Sequence, residues 1–416
     1  MTEIIQKKGS LVLYFILITF PLREAIAYSS NGTSFIRVGE VLFLFSPFIY
    51  IFGRKTDGIK SGVSNYCILL AMYSIVFGLC FASHLDSTYA YTFIARCIAI
   101  TFFIKICEKL DFNVSPSFFE KLFKYTIIVE AILCSFQLTG HTLIGLKVLP
   151  YDSFIGLVPR LSGTASEPGF LIPVLSPSLY YFLSTYRYNK FWFWLTLLFM
   201  ILSTSSFAYP IILFIFLYNA FNKSKSKAMK LAISYSILFI VAVIILITLS
   251  PSASDFVDYS INKILAFGSG SQDDMDYSGM ERTVNRIAGF DGFVNMSVIE
   301  KFIGGGFGTA LYYSEKYVVS YGTSNECGIA YLGMLLNLGI LGLSILFALF
   351  KKVHKLKTKC IISTAIYIGF IVQAIQFLII TNIWIYFFWF EIGLLIILKR
   401  NENKIIDYER NKYTDL

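Results

Sequence analysis

Apolar runs of about 20 residues, the length a spanning helix needs, recur along this chain and are separated by short polar clusters. Runs begin at about residues 9, 36, 63, 89, 119, 167, 191, 206, 230, 326, 360 and 383, which predicts about twelve helices. The stretch from Phe191 to Phe221 is too long for one helix, and the polar run Ser203-Thr204-Ser205-Ser206 near its middle predicts a tight turn. Thr381-Asn382 divides the last long run in the same way. Two segments break the rhythm. One is medium, roughly His141 to Ser166, and one is large, roughly Pro251 to Asn325. Inside the large one, from Met280 to Phe302, Val284, Ile287, Ala288, Val294, Val298 and Ile299 recur at helical spacing. They predict an amphipathic helix lying at the membrane surface, with a break or kink at Gly289 and Gly292.

Composition fits this pattern. Hydrophobic residues make up 56% of the chain and charged residues 15%, with a mean hydropathy of +0.67. A soluble chain is nearer a quarter charged, so lipid is the expected solvent for most of this surface. The net charge of +9 sits in clusters between runs rather than on one face, which argues against nucleic acid as a partner. Lys7 and Lys8, Arg54, Lys55 and Lys60, Lys105 and Lys109, Arg187 and Lys190, then Lys223 to Lys230 fall on every second connection. Lys351 to Lys359, then Lys399, Arg400 and Lys404, continue the series. Positive loops face the cytoplasm, so the expected topology has both termini inside, an even number of spans, and the two long segments outside. The N-terminal run resembles a secretory signal, with Ala25-Ile26-Ala27 like a cleavage site, but reads as an uncleaved first helix. Three parts follow: residues 1–250 as a bundle of about nine spans, 251–325 as the outer loop, and 326–416 as the closing helices and tail. Seven cysteines without a CxxC give no disulfide or zinc framework. The two halves show no internal repeat, which weakens a transporter reading.

Four clusters on the expected outer side could carry chemistry. The first is Arg160-Leu-Ser-Gly-Thr-Ala-Ser-Glu167-Pro168-Gly169. Ser166 and Pro168 suit a helix start, and Glu167 suits its positive end. Arg160 offers a planar fork of donors for phosphate. Arg282 and Arg286, four apart, share one helix face and present two cations to a pyrophosphate; surface pairing with Glu281 and nearby Asp residues is the alternative. Gly304-Gly305-Gly306-Phe307-Gly308 either lets backbone N–H groups approach an anion or makes a turn. Ser324-Asn325-Glu326 stands at the mouth of a span, where Glu326 is either a base or a helix-end acid. Asp273, Asp274 and Asp276 read as a solvated acidic loop, and no His/Asp/Glu cluster has metal-ligand spacing, so neither metal nor cofactor is expected. Arg96 and Glu130 stand out as internal charges, and pairing inside the bundle is their expected fate.

The order of these parts resembles the O-antigen polymerase and ligase superfamily of bacterial inner membranes. Arg160-Leu-Ser-Gly with Glu167-Pro168-Gly169 resembles the family's Arg–x–x–Gly…Glu–Pro stretch before a span. Leu202-Ser203-Thr204-Ser205 is similar to its Ser/Thr-rich turn. Glu281-Arg282…Arg286 with the glycine run, and Ser324-Asn325-Glu326 with Leu338-Gly339-Ile340-Leu341-Gly342, resemble its loop Arg segment and the entry to the next span. The matches cover residues 155–345; the first third matches in topology alone. The ligase branch usually has His before the Asn, where Ser324 stands here, and the Ser-rich turn commonly ends in Arg, where Ser206 stands. Both departures point to polymerase. The resemblance implies an all-α GT-C-like fold and an undecaprenyl-pyrophosphate-linked glycan as both donor and acceptor. It also implies membrane lipid and a chain-length regulator as partners. Arg160, Arg282, Arg286, Glu167 and Glu326 become the expected catalytic set, and Gly304, Gly305, Gly306, Gly308 and Asn325 the expected substrate contacts. The anomeric outcome is expected to be inverting. Ligase and polysaccharide flippase are the alternatives.

Overall fold

In this computed structural model the described residues are 20, 22, 26–30, 34–52, 58, 61–109, 114–139, 154–155, 158–159, 161–165, 168–203, 205, 207–223, 277–317, 329–379 and 386–413. Helices dominate. Two short antiparallel hairpins pair β1 (Ile26–Ser30) with β2 (Ser34–Arg37), and β3 (Phe154–Ile155) with β4 (Val158–Pro159). The helices are α1 (Val38–Phe52), α2 (Val63–Tyr73) with a π-helical extension over Ser74–Leu79, α3 (Ser87–Lys109) and α4 (Pro116–Thr139). Next come α5 (Pro168–Ser184), α6 (Tyr186–Leu202) and α7 (Ala208–Lys223). The expected outer loop contributes α8 (Tyr277–Asn295), α9 (Val298–Ile303) and α10 (Thr309–Tyr317). The chain closes with α11 (Ala330–His354), α12 (Ile361–Gln376), α13 (Tyr386–Arg400) and α14 (Glu402–Lys412).

Among the described residues, α3, α4 and α11 are long and apolar enough to cross a membrane; the extended α2, α7 and α12 are apolar but shorter. The runs expected near residues 9 and 230 lie outside the described residues. The turn expected after Leu202 is present, with α6 ending there and α7 opening at Ala208.

α5 is buried on nearly every side, between α4, α6, α7 and α12. A helix enclosed this way needs no polar face. It contains Pro173 and Pro177. Each proline lacks the N–H that would close the carbonyl four residues earlier. For Gly169 the loss is made good from outside, because Gln376 Nε2 of α12 donates to its carbonyl at 2.9 Å. Pro168 occupies the first helical position, as its neighbours in the sequence led us to expect.

The basic residues gather at one end of the bundle. Lys109 closes α3, Lys351, Lys352 and His354 close α11, and Lys399 with Arg400 close α13. Contacts hold these ends together. Ser61 Oγ donates to the Glu108 carboxylate, and Lys357 Nζ donates to Tyr218 Oη at 2.5 Å. Lys412 Nζ pairs with Glu120, and Tyr181 and Tyr413 share a hydroxyl hydrogen bond of 2.7 Å. Of the internal charges, Arg96 pairs with Glu40 at 2.9 Å as expected, and Glu130 is buried and hydrogen-bonded to the loop described next.

One expectation for the amphipathic segment needs correction. The helix does not break at Gly289 or Gly292; α8 runs through both, and the interruption comes at Met296-Ser297. Ser297 explains it. Its hydroxyl accepts from the Glu300 N–H at 3.2 Å, and Glu300 Oε2 accepts from the Ser297 N–H at 2.9 Å. This reciprocal cap starts a new helix and stops the old one. Gly292 serves packing instead, since a Cβ there would lie 2.5 Å from Tyr313 Cγ. The stripe itself is present as a face. Ala288 is buried, but Ile287, Val294, Val298 and Ile299 face outward. Small residues, not the large apolar ones, pack α8 against the protein.

Candidate functional site

At the end of the bundle opposite the lysine clusters, four connections converge. Leu161–Ala165 leads into α5, and Ser203–Ser205 joins α6 to α7; the Leu161 N–H donates to the Leu202 carbonyl at 3.4 Å. The start of α11 meets the end of α12, where the Ala330 N–H donates to the Phe377 carbonyl at 3.1 Å. Gln376 reaches Gly169 from the same end of α12.

The Leu161–Ala165 loop is held by two side chains of α4. Gln137 Oε1 accepts from the N–H groups of Ser162 and Gly163 at 3.2 and 3.0 Å. Its Nε2 donates to Ser162 Oγ at 3.0 Å and to the Gly163 carbonyl at 3.2 Å. Two helical turns away, Glu130 accepts from the Thr164 N–H at 2.8 Å and from Thr164 Oγ1 at 2.6 Å. Gly163 has φ +58°, and a Cβ there would lie 2.0 Å from Glu130 Oε2. That position therefore demands glycine twice, for its left-handed backbone and for the carboxylate against it. A buried, fully hydrogen-bonded network of this kind fixes a loop in one conformation. The chain neighbours it fixes are the flanks of Arg160 and Glu167. Arg160 and Glu167 themselves lie outside the described residues, as do Asn325 and Glu326 ahead of α11.

The glycine run forms a second cluster. Residues 304–310 are buried, enclosed by the end of α2, the start of α3 and the middle of α11. The Gly304 N–H donates to Glu300, Gly305 to Leu336, Gly306 to Asn337 and Phe307 to Gly78, all at 2.7–3.1 Å to backbone carbonyls. In return, the Ser83 and Asp86 N–H groups donate to the Gly305 and Phe307 carbonyls, each at 3.0 Å. The N–H groups of Gly304, Gly305 and Gly306 are thus engaged by protein, and the turn seen is a packing turn. Gly306 has φ +86°, and a Cβ on it would lie 2.2 Å from Ala82 Cα. Phe307 fills the space between Phe93 and Tyr89 of α3, at ring separations of 4.5 and 5.9 Å.

The run is received by a break in α11. Gly339 has φ 66° and ψ −174°, which interrupts the helix. The carbonyls of Leu336 and Asn337, released at the break, are the ones that Gly305 and Gly306 satisfy. Asn337 Oδ1 also accepts from the Ala310 N–H at 3.1 Å. Asn337 was not singled out from the sequence, although a lone Asn beside Gly339 in the apolar run Met334–Leu343 was the available signal.

Arg282 and Arg286 both fall in α8, which packs on α10 and α11, and Arg286 is half-buried. The side chain of Arg282 lies outside the described residues. Sequence reasoning also missed a buried polar group below the converging connections. Gln373 of α12 and Glu391 of α13 are fully buried, and Glu391 Oε1 would touch a Cβ placed on Gly369 at 2.1 Å. Gly369, Gln373 and Gln376 are spaced four and three apart, so they stack on one side of α12. Among the described residues, neither Gln373 amide atom has a hydrogen-bond partner. Among the described residues no group of three or more His, Cys, Asp or Glu could hold a metal ion. In comparison with known proteins, the chain matches no family model and no curated protein.

Proposed function

We propose that this chain is a membrane glycosyltransferase of surface-polysaccharide assembly, of the O-antigen polymerase kind. It would transfer a growing glycan from undecaprenyl pyrophosphate to a lipid-linked repeat unit. The supporting observation is the convergence at one end of the bundle. The loop after Arg160, the turn at Ser203–Ser205, the start of α5 after Glu167 and the start of α11 after Glu326 meet opposite the lysine clusters. If those clusters face the cytoplasm, the converging end faces the periplasm of an inner membrane and about twelve spans carry the chain across it, in a GT-C-like arrangement.

The chemistry has three needs: a neutralised pyrophosphate leaving group, an aimed acceptor hydroxyl and the exclusion of water. Arg282, Arg286 and Arg160 supply positive charge where negative charge develops. Glu167 or Glu326 orients or deprotonates the acceptor. The Gln137 and Glu130 network sets the position from which Arg160 and Glu167 act. The buried glycine run supports α8, and through it the Arg pair, by shape. Arg282→Ala and Arg286→Ala variants at unchanged membrane levels are expected to lose about 10²–10³ in rate and to shorten the surface-polysaccharide ladder on gels. Full-length ladders from both single variants and the double would remove the pair from the mechanism.

A second reading, transport, is favoured by one observation: buried Gln373 and Glu391 place polar groups inside the bundle, where transporters keep them. Purified protein supplied with a lipid-linked repeat unit separates the two. Chain growth without a membrane gradient decides for the polymerase.

A further inference from the structure

The pair α8–α9 wears its apolar side outward. Ile287, Phe290, Val294, Val298, Ile299 and Phe302 are between 52% and 71% exposed. The side turned to α10 and α11 carries Ala288, Gly289, Gly292 and Met296, all buried. A contiguous apolar surface of this kind is costly against water and marks a contact with something apolar.

Depth identifies the contact. α9 does not stop at the end of α11 but lies beside its interior. A Cβ on Gly339 would come within 2.4 Å of both the Phe302 carbonyl oxygen and the Gly304 nitrogen. Gly339 is nine residues into α11, about 13 Å along the axis at the rise of an α-helix. On the other flank Phe307 packs against Phe93, six residues and about 9 Å into α3. Both α3 and α11 are long and apolar enough to cross a membrane.

The exposed surface also has no edge where α9 ends. Just past the break, Ile340 and Leu341 of α11 are 40% and 46% exposed, and Phe347 continues the face two turns on. The outward side of α9 is therefore continuous with the outward side of α11, which in a spanning helix meets hydrocarbon. Asn295 is exposed at the α8–α9 turn, but three other polar side chains there are engaged by the protein, which lowers the cost of a lipid setting. Ser297 and Glu300 cap each other, and Lys301 Nζ folds back to donate to the Val294 carbonyl at 2.8 Å.

We propose that α8, α9 and the glycine run form a re-entrant element. It descends beside α11 from the end opposite the lysine clusters, turns at Gly304–Gly308, and presents Phe290, Val294, Val298, Ile299 and Phe302 to the acyl chains of the bilayer. The proposal rests on α11 being a membrane span.

The test uses the full-length protein in phosphatidylcholine vesicles whose acyl chains carry bromine, a contact quencher of tryptophan. Ile299→Trp is compared with Phe347→Trp, on the outward face of α11, and with the unsubstituted chain as background. Val298→Trp serves as a second probe should Ile299→Trp fail to fold. The expected result is that the emission added at 299 or 298 is quenched by brominated chains to about the extent seen at 347. Quenching at 347 with none at 299 and 298 overturns the proposal and leaves α11 a span, whether the face is then covered by water, by another segment or by a second copy. No quenching at any of the three overturns the reading of α11 as well.

Discussion

The two ends of the bundle are held by different physics. At the lysine-rich end, charged and phenolic side chains do the joining. Glu120 of α4 takes Lys124 at 2.8 Å, Lys412, and Tyr408 Oη at 3.1 Å. Glu409 of α14 caps α12 by accepting from the Ile361 and Ile362 N–H groups at 2.8 and 2.9 Å. Burial opposes the charge on Lys412, but hydrogen bonds to Glu120 and Tyr408 outweigh it and hold its pKa above the usual lysine range. At the opposite end the glycine run is held backbone to backbone, by carbonyls and N–H groups at 2.7–3.1 Å. One end is adjustable, because long side chains can re-route. The other tolerates almost no added atom. Close backbone packing suits an end that holds one fixed shape, and long side chains suit an end that closes a bundle.

Three changes test this contrast, in descending order of expected effect. Gly306→Val adds a branched side chain where even a Cβ would lie 2.2 Å from Ala82 Cα, at φ +86°. Backbone strain and overpacking together are expected to cost about 4 kcal/mol, read as loss of monodisperse folded protein in detergent. A variant as heat-stable as the parent would show that the glycine end is not sterically set. Glu130→Ala strips the Thr164 N–H and hydroxyl of a buried acceptor. About 3 kcal/mol is expected, measured as a lowered unfolding midpoint, with Glu130→Gln recovering part of it. Glu409→Ala removes a helix cap at the lysine-rich end. The expected loss is about 1 kcal/mol, the usual worth of a cap. An effect larger than that of Glu130→Ala would invert the comparison.

Much of the helical framework was legible. Apolar run length and punctuation marked the helices, and Ser203–Ser206 marked the turn before α7. Lysine spacing anticipated that the basic ends would meet. What escaped has identifiable causes. The stripe from Ile287 to Ile299 revealed a periodic face, but period cannot tell whether that face meets protein or lipid, and its large residues lie exposed here. Gly304–Gly308 was ambiguous because glycine serves anion approach and close backbone packing equally well. Gly163 was read only as part of a motif, since the carboxylate that demands it, on Glu130, comes from a helix 33 residues earlier in the chain. Gln373 and Glu391 sat in apolar runs as single polar letters, and only packing made them neighbours of Gly369 and Gln376.

The break at Gly339 has a consequence for how the chain is made. At the break in α11 the Leu336 and Asn337 carbonyls accept from the N–H groups of Gly305 and Gly306, which lie outside the helix. Those donors lie upstream, so synthesis delivers them first. When α11 leaves the ribosome, the strap that completes it is already present, and the helix enters its final place by joining α9 rather than alone. A chain cut after α10 would hold a strap with nothing to fasten, and a chain lacking α9 would have to place α11 without the neighbour that receives its break.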